Sequence, residues 1–299
     1  MTEQLLFNER VLLITSLALY SVAWVLYFVS ARRNAGFIAS APRSALIAGL
    51  AANLAALVLR WGAVGYAPFA NLFGSLVFFA CALAVVNVFF ELLYRARLLG
   101  AVSMPFALSL LAYALFGVDM TPRPLMPALR SAWLQVHVSA YFFGYAALAV
   151  SFAAAVIDLV QVAIHRRRFS NASHAPSGAT EQRRVDYTRV THRAVALGFP
   201  FLTLGLVTGS IWAKQAWGDY WQWDPKETWS LITWLVYLTY LHLPWLLPRV
   251  APGAAAHPFW GRFIRTVALF VGFAVVLFTY LGMHLLPSAD KSLHIYGSP

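Results

Sequence analysis

The sequence predicts an all-α, polytopic transmembrane helical bundle of about eight spans. Of the 299 residues, 61% are hydrophobic and only 11% are charged, whereas a soluble domain carries roughly 25% charged residues. Apolar segments of about 20 residues, the length that crosses a bilayer, follow one another along the whole chain. The basic residues gather in every second loop between them. We therefore expect a single transmembrane domain over residues 1–299.

The first apolar segment is expected to be a span and not a secretory signal. Glu3 and Glu9 precede it together with Arg10, whereas a signal peptide begins with net positive charge. The fifth segment is the longest and should project beyond the membrane. The eight predicted spans cover roughly residues 11–31, 43–61, 72–93, 98–118, 131–163, 193–212, 227–247 and 263–286.

The charge of the loops predicts the orientation. Fifteen of the 22 Lys and Arg residues lie in the odd-numbered loops, and such an excess marks the cytoplasmic side. Both termini are then expected on the non-cytoplasmic side. The long loop over residues 165–192 would be cytoplasmic, and the loop over residues 212–229 would be external.

Composition also excludes some classes of function. The net charge of +11 comes from short loops between spans, without the basic stripe and motifs of a nucleic-acid-binding protein, so no nucleic-acid partner is expected. Cys81 is the only cysteine. The chain therefore has neither a disulfide framework nor a dithiol motif, and Cys81 is interpreted as a small core residue.

The loop between spans six and seven is rich in tryptophan. Five of the 11 tryptophans fall within 18 residues. An interfacial aromatic belt is one explanation, but such a dense cluster favours a platform on which a flat aromatic ligand stacks. The aromatic residues of this predicted platform are Trp212, Trp217, Tyr220, Trp221, Trp223 and Trp229.

A helix is predicted to begin inside this loop. Asp224 can be its N-cap, Pro225 suits the first helical position, and Glu227 completes a capping-box pattern. The role of Asp224 stays open between a cap and a ligand contact. Unpaired N–H groups at a helix start favour anions, and Lys214 and Lys226 add positive charge. A planar ligand with acidic groups would fit there.

Three of the eight histidines lie within predicted spans, where an ionisable residue indicates function. His137 and His284 lie near the external ends of spans five and eight, level with the tryptophans. Two imidazoles on opposite faces suit haem iron. His242 lies about 22 Å inside span seven, too deep for the same iron. It indicates either a second haem position or a packed core histidine.

With these residues in place, the chain resembles the CcsA (ResC) family of cytochrome c biogenesis proteins. The stretch from Leu197 to His242 is similar to the WWD signature of that family with its flanking spans. HVSAYFFGYAALAVSF from His137 and TYLGMHLL around His284 agree with it in layout. NLFGSLVFF from Asn71 is also similar, although Phe73-Gly74-Ser75 replaces the usual Tyr-Glu-Ser.

The resemblance implies the haem-handling subunit of the System II cytochrome c synthase, in a bacterial inner membrane with its site on the periplasmic face. His137 and His284 match the external axial ligands of haem b, and His242 matches a histidine that binds haem within the membrane. The implied partners are a CcsB (ResB) subunit and apocytochrome c, whose CxxCH thiols add to the haem vinyls, with thiol-reducing proteins acting indirectly.

Other functions remain as alternatives. A haem-delivery protein of the CcmC type shares the WWD loop but forms no thioether, and its roughly six spans agree less well with eight. An electron-transfer cytochrome would need paired histidines within the membrane, which a lone His242 does not supply. A transporter without a cofactor leaves the tryptophan cluster unexplained. No residue is predicted to act as acid, base or nucleophile.

Overall fold

The computed structural model of the chain describes residues 2–32, 40–68, 71–122, 124–170, 185–253 and 258–282. In these ranges it contains α-helices, one short 3-10 helix and no β-strand. Eight helices are long and apolar enough to cross a membrane, which confirms the predicted fold class. They are α1 (Thr2–Arg32), α2 (Ala41–Val64), α3 (Leu72–Tyr94), α4 (Leu98–Gly117), α5 (Ala132–Ser170), α6 (Tyr187–Trp217), α7 (Pro225–Val250) and α8 (Pro258–Leu281), and the 3-10 helix Pro127–Leu129 precedes α5.

The helices are longer than the apolar segments that predict them. α1 begins at Thr2 instead of near residue 11, because Glu9 has a buried Arg60 partner and does not interrupt the helix. The expected loop over residues 165–192 is shorter at both ends. α5 continues to Ser170, and α6 begins at Tyr187, where the Asp186 side chain accepts a hydrogen bond from the Arg189 N–H at 3.0 Å.

Contacts between helix ends define the two ends of the bundle. At one end, Arg60 bonds to Glu9, and Ser75 Oγ lies 3.1 Å from the Tyr280 hydroxyl. This end also contains the α6–α7 connection and is called the tryptophan end below. At the opposite end, Arg262 Nε lies 3.8 Å from Asp158 Oδ2. The helices therefore alternate in direction, as successive membrane spans must.

The close packing of α5 and α6 positions the site. A Cβ on Gly198 would lie 3.1 Å from the carbonyl oxygen of Gly144. Small residues at such positions let two backbones approach closely, which is how membrane helices gain packing energy. Helices α1–α4 contact one another, while α7 packs against α6 and α8. The start of α5, the end of α6 and the start of α7 thus meet at the tryptophan end.

Candidate functional site

The connection between α6 and α7 is only seven residues long, 218–224, and not the predicted 212–229. α6 continues through Trp212 to Trp217 and ends at Gly218, whose φ of 96° is left-handed. That conformation is favourable for glycine, and it lets the Gly218 N–H bond to the Lys214 carbonyl at 3.2 Å. The predicted aromatic platform is therefore divided between two helix ends and a tight loop.

Two aromatic side chains of the loop are open to the surroundings. Trp223 is 69% exposed and Tyr220 is 58% exposed. The Trp223 ring meets the half-buried Trp221 ring edge-to-face, with centroids 5.8 Å apart. Trp223 has a φ of 57°, a conformation that disfavours a bulky residue. Strained backbone of this kind concentrates at functional sites, so the local geometry distinguishes Trp223 from the other residues of the predicted platform.

Trp212 differs from the open platform residue that the sequence predicts. It is only 1% exposed, and its indole N–H donates to the Ala128 carbonyl at 2.8 Å. Leu129 and Leu134 pack around it, and the half-buried Trp217 ring lies 5.1 Å away. Trp212 therefore forms part of the wall that supports the site. Its burial could not be foreseen because it depends on a segment 84 residues earlier in the chain.

The start of α7 forms the predicted capping box. The Asp224 carboxylate accepts from the Lys226 N–H at 2.8 Å, and Glu227 accepts from the Asp224 N–H at 3.2 Å and the Gln222 N–H at 2.9 Å. Asp224 is buried. The anion site expected at this helix start is thus occupied by the chain's own carboxylates, which corrects that interpretation.

His137 lies on α5, five residues after its start, and faces α6. Its Nδ1 atom lies 2.8 Å from the Gly205 carbonyl oxygen. A carbonyl only accepts, so Nδ1 carries the proton and Nε2 keeps a lone pair that can bind a metal. The Trp212 ring is roughly parallel to the imidazole at 6.0 Å, and Tyr141 meets it edge-to-face at 5.0 Å. Three groups therefore fix the orientation of the imidazole.

Two glycines of α6 make this arrangement possible. A Cβ on Gly209 would lie 2.4 Å from His137 Nδ1, and a Cβ on Gly205 would lie 2.7 Å from the Tyr141 ring. Neither distance is tolerable for a real side chain. Sequence reasoning missed both residues, although their spacing of four is the small-xxx-small pattern of membrane helix contacts.

Of the other two histidines of the prediction, the structure describes His242, which lies away from the tryptophan end. His242 is exposed on the side of α7, and its Nδ1 atom lies 2.8 Å from the Leu238 carbonyl, which directs the lone pair of Nε2 away from its own helix. His284 lies outside the described residues, beyond the end of α8. The last turns of α8 lie beside the platform, because the Phe278 ring is 4.4 Å from the Trp229 ring.

A cavity of about 600 Å³ opens at the tryptophan end beside the Trp212 wall. Leu129 and Leu134 line both this cavity and the contact with Trp212. The other side is formed by Trp61 at the end of α2 and by Tyr66 just beyond it, and Arg130 adds a positive charge. The site thus has an aromatic surface, a fixed imidazole and an adjacent cavity.

Comparisons with known proteins identify the family to which the chain belongs. Residues 69–289 match the family described as cytochrome C assembly protein. A cytochrome c biogenesis protein CcsA from Synechococcus elongatus is 38% identical over 294 residues, covering 84% of this chain and 86% of that protein. The CcsA of Porphyra purpurea is 36% identical over 272 residues, covering 80% of this chain and 81% of that protein.

The fold also has a solved counterpart. The structure of the cytochrome c heme lyase CcmF superposes with a TM-score of 0.59 at 20% identity and covers 94% of this chain. The chain spans about half of CcmF, 49% of its length. This likeness establishes a shared fold. The chain belongs to the cytochrome c assembly protein family and, within it, to the CcsA-type cytochrome c biogenesis proteins.

Proposed function

We propose that this multi-pass membrane protein handles haem in cytochrome c biogenesis, as the haem-handling subunit of a System II cytochrome c synthase. Its relatives are named cytochrome c biogenesis proteins. The observation that carries the proposal is His137, whose Nδ1–H donates to the Gly205 carbonyl, so that Nε2 is the ring nitrogen with the lone pair that could bind iron. The chain would move haem across the bacterial inner membrane and hold haem b at the periplasmic, tryptophan end.

His137 and His284 are proposed as the two axial ligands. The hydrogen bond to Gly205 fixes the tautomer and the ring orientation of His137, as second partners of metal-bound imidazoles commonly do. The end of α8, after which His284 follows in the sequence, lies at the same loop, because the Phe278 ring contacts Trp229. Trp223 and Tyr220 offer the exposed aromatic surface, and a porphyrin is the flat ligand that such a surface suits.

The residues of the site bind and orient, and the reactive groups come from the substrates. Each thiol of the CxxCH segment in apocytochrome c would add across one haem vinyl group. A C–S bond forms and the thiol hydrogen ends on the neighbouring carbon, so the addition needs no oxidant or reductant. The chain's part is to fix the macrocycle through the two histidines and to present its vinyl edge beyond the platform. The imidazole of CxxCH would then replace one axial histidine, which gives a route to product release.

His242 is proposed as the intramembrane haem ligand, shared with a CcsB-type partner subunit. An ionisable side chain on the lipid-facing side of a span is unfavourable. His242 is exposed there on α7, with its Nδ1 bonded within its own helix. A second membrane subunit on this side would remove His242 from lipid and could bring the opposing ligand.

The test is maturation of a CxxCH reporter after co-expression of the chain with the CcsB-type subunit. We expect covalent haem on the reporter with the natural chain. His137→Ala should abolish it, and the exposed His192→Ala, at the other end of α6, is the matched control. Full haem loading and full maturation in both His137→Ala and His284→Ala would refute the proposal.

The same experiment distinguishes the CcmC-type alternative, in which haem is delivered without thioether formation. Haem that copurifies with the complex while the reporter stays unmodified would favour delivery only. Covalent product would exclude it. The two outcomes are separated by denaturing gel electrophoresis, since only thioether-bound haem stays with the reporter.

A further inference from the structure

Helices α1–α4 contain a row of buried polar side chains that runs from the tryptophan end towards the opposite end of the bundle. On α1, the buried positions recur at helical spacing, and most of them carry polar groups. They include Glu9, Ser16, Tyr20, Tyr27 and Ser30. Within a bilayer no lipid can bond to such groups, so each must be satisfied inside the protein.

At both ends of this row the polar groups are paired. Arg60 donates to both carboxylate oxygens of Glu9 at 3.1 Å. At the opposite end, the Tyr27 hydroxyl donates to Glu91, whose other carboxylate oxygen lies 3.9 Å from Arg43. The ends therefore follow the rule for buried polar groups.

The polar groups in the middle of the row are not paired in this way. Ser16 Oγ, the Tyr20 hydroxyl and both amide atoms of Asn53 are buried and form no hydrogen bond with any part of the chain that the structure describes. The neighbouring hydroxyls of Thr15 and Ser21 bond to carbonyls four residues earlier at 2.9 and 2.8 Å. Ser16 thus lacks the bond that its neighbours on the same helix make.

These unpaired groups belong to one cluster. The Tyr20 hydroxyl lies close enough to the Ser16, Asn53 and Cys81 side chains to be affected by them, although Ser16, Tyr20 and Asn53 reach no hydrogen-bond geometry with one another. Each of the four residues is at most 3% exposed. The Tyr20 ring packs directly on Gly49, where a Cβ would lie 2.6 Å from it. This contact restricts the space in which the ring can move.

The side chains of the cluster indicate which kind of molecule can bind there. Two hydroxyls and one amide supply both donors and acceptors, and none of the four side chains carries a charge that would attract an ion. Leaving them all dry is costly, and a buried water needs two to four polar partners. We propose that Ser16, Tyr20 and Asn53 form a binding site for internal water, with the Cys81 thiol at its edge.

Cys81 provides a direct reporter because it is the only cysteine of the chain. The purified full-length chain is transferred to D2O in lipid nanodiscs, and the conversion of S–H to S–D is followed over time. The growth of the S–D stretching band is measured, because the O–D stretch of D2O covers the S–H region while the S–D band is free of protein bands. Cys81→Ala assigns the band. Water in the cluster should exchange the thiol while the protein remains folded.

Asn53→Leu tests whether the cluster itself holds the water. Loss of both amide partners should slow thiol exchange about tenfold or more. Leu54→Ala is the matched control, because Leu54 is exposed on the neighbouring position of α2 and should leave the exchange rate unchanged. The unfolding temperature of each variant is recorded as a second measurement.

The rate of thiol exchange and the unfolding temperature together distinguish a water site from a dry cluster. Exchange in the folded chain, slowed by Asn53→Leu without a rise in unfolding temperature, supports the water site. An S–D band that appears only when the protein unfolds would overturn it, as would equal exchange rates in Asn53→Leu and the natural chain. A marked rise in the unfolding temperature of Asn53→Leu would also overturn it, because removal of unpaired groups stabilises a dry cluster.

Discussion

His137 Nδ1 lies 2.8 Å from the carbonyl oxygen of Gly205, which is 68 residues further along the chain. This hydrogen bond joins α5 to α6 at the tryptophan end and decides which imidazole nitrogen can bind iron. It exists because α6 has glycine at two successive turns facing α5. The geometry of the proposed ligand therefore depends on glycines of the neighbouring helix.

Gly209→Ala tests this dependence. The added methyl group would lie 2.4 Å from His137 Nδ1 and 2.5 Å from Cε1, so the imidazole must move. Loss of a group that orients a metal-bound histidine lowers metal affinity or activity about 10- to 100-fold, and we expect a loss of that size in reporter maturation. Optical spectra of the copurified haem should show altered axial ligation.

The matched control for this variant is Gly62→Ala. Gly62 lies on α2 with no atom within 4 Å of an added Cβ, so maturation should stay at the natural level. If Gly209→Ala retained full maturation and an unchanged haem spectrum, the supporting role of the α6 glycines would be disproved.

Trp223 is expected to favour function at the expense of stability. Its left-handed φ of 57° costs about 1–2 kcal/mol for a residue with a Cβ, whereas glycine at this position loses about 0.5–1 kcal/mol through its greater backbone freedom. Trp223→Gly should therefore unfold at the same or a higher temperature than the natural chain, while reporter maturation falls.

Trp223→Phe is the companion variant, because it keeps an aromatic face at the same backbone position. We expect it to retain most of the maturation. A clear loss of thermal stability in Trp223→Gly would instead identify Trp223 as a structural residue.

The features of the site that depend on residues close together in the sequence could be predicted from the sequence. Asp224, Pro225 and Glu227 form a capping box because the signal is contained within four residues of one helix turn. The eight spans are likewise a local property of apolar segments. The prediction of His137 as a site residue rests on its depth in a single helix, and its ligand role stays a prediction.

The features that depend on tertiary contacts could not be predicted. Trp212 belongs to the same tryptophan cluster as Trp223, yet it is buried because Ala128 and Leu129 cover it. The sequence pattern alone gives no way to distinguish these two indoles. The unpaired amide of Asn53 is equally invisible in the sequence, because a polar residue in a span normally indicates a partner and only the packed bundle reveals its absence among the described residues.

The role of Asp224 can be resolved with two substitutions. Asp224→Ala removes the cap that accepts from the Lys226 N–H and should destabilise the chain by about 1 kcal/mol. Asp224→Asn retains an oxygen that can cap and should change stability by only a few tenths of that value. If the residue acts only as a cap, maturation in Asp224→Asn stays at the natural level.

Maturation that falls in Asp224→Asn, with the unfolding temperature unchanged, would show that the carboxylate itself is required. That result would contradict a purely structural role and would favour a contact with haem or the substrate peptide. Thermal unfolding and reporter maturation are measured on the same preparations, so that the two effects are compared directly.

The Glu9–Arg60 pair should be the most sensitive contact between α1 and α2. Both side chains are 2% exposed, Arg60 also donates to the Met120 carbonyl at 3.0 Å, and its guanidinium lies 4.5 Å from the centre of the Phe73 ring. Glu9→Leu leaves a buried positive charge without its carboxylate, and breaking a buried pair in this way costs about 3–5 kcal/mol. Replacing both residues, in Glu9→Leu/Arg60→Leu, removes the charge as well and should recover most of that stability.

A double-mutant cycle of thermal unfolding in detergent measures the coupling, with Leu54→Ala on the exposed face of α2 as the control. Additive effects of the two single substitutions would contradict a direct energetic coupling between Glu9 and Arg60.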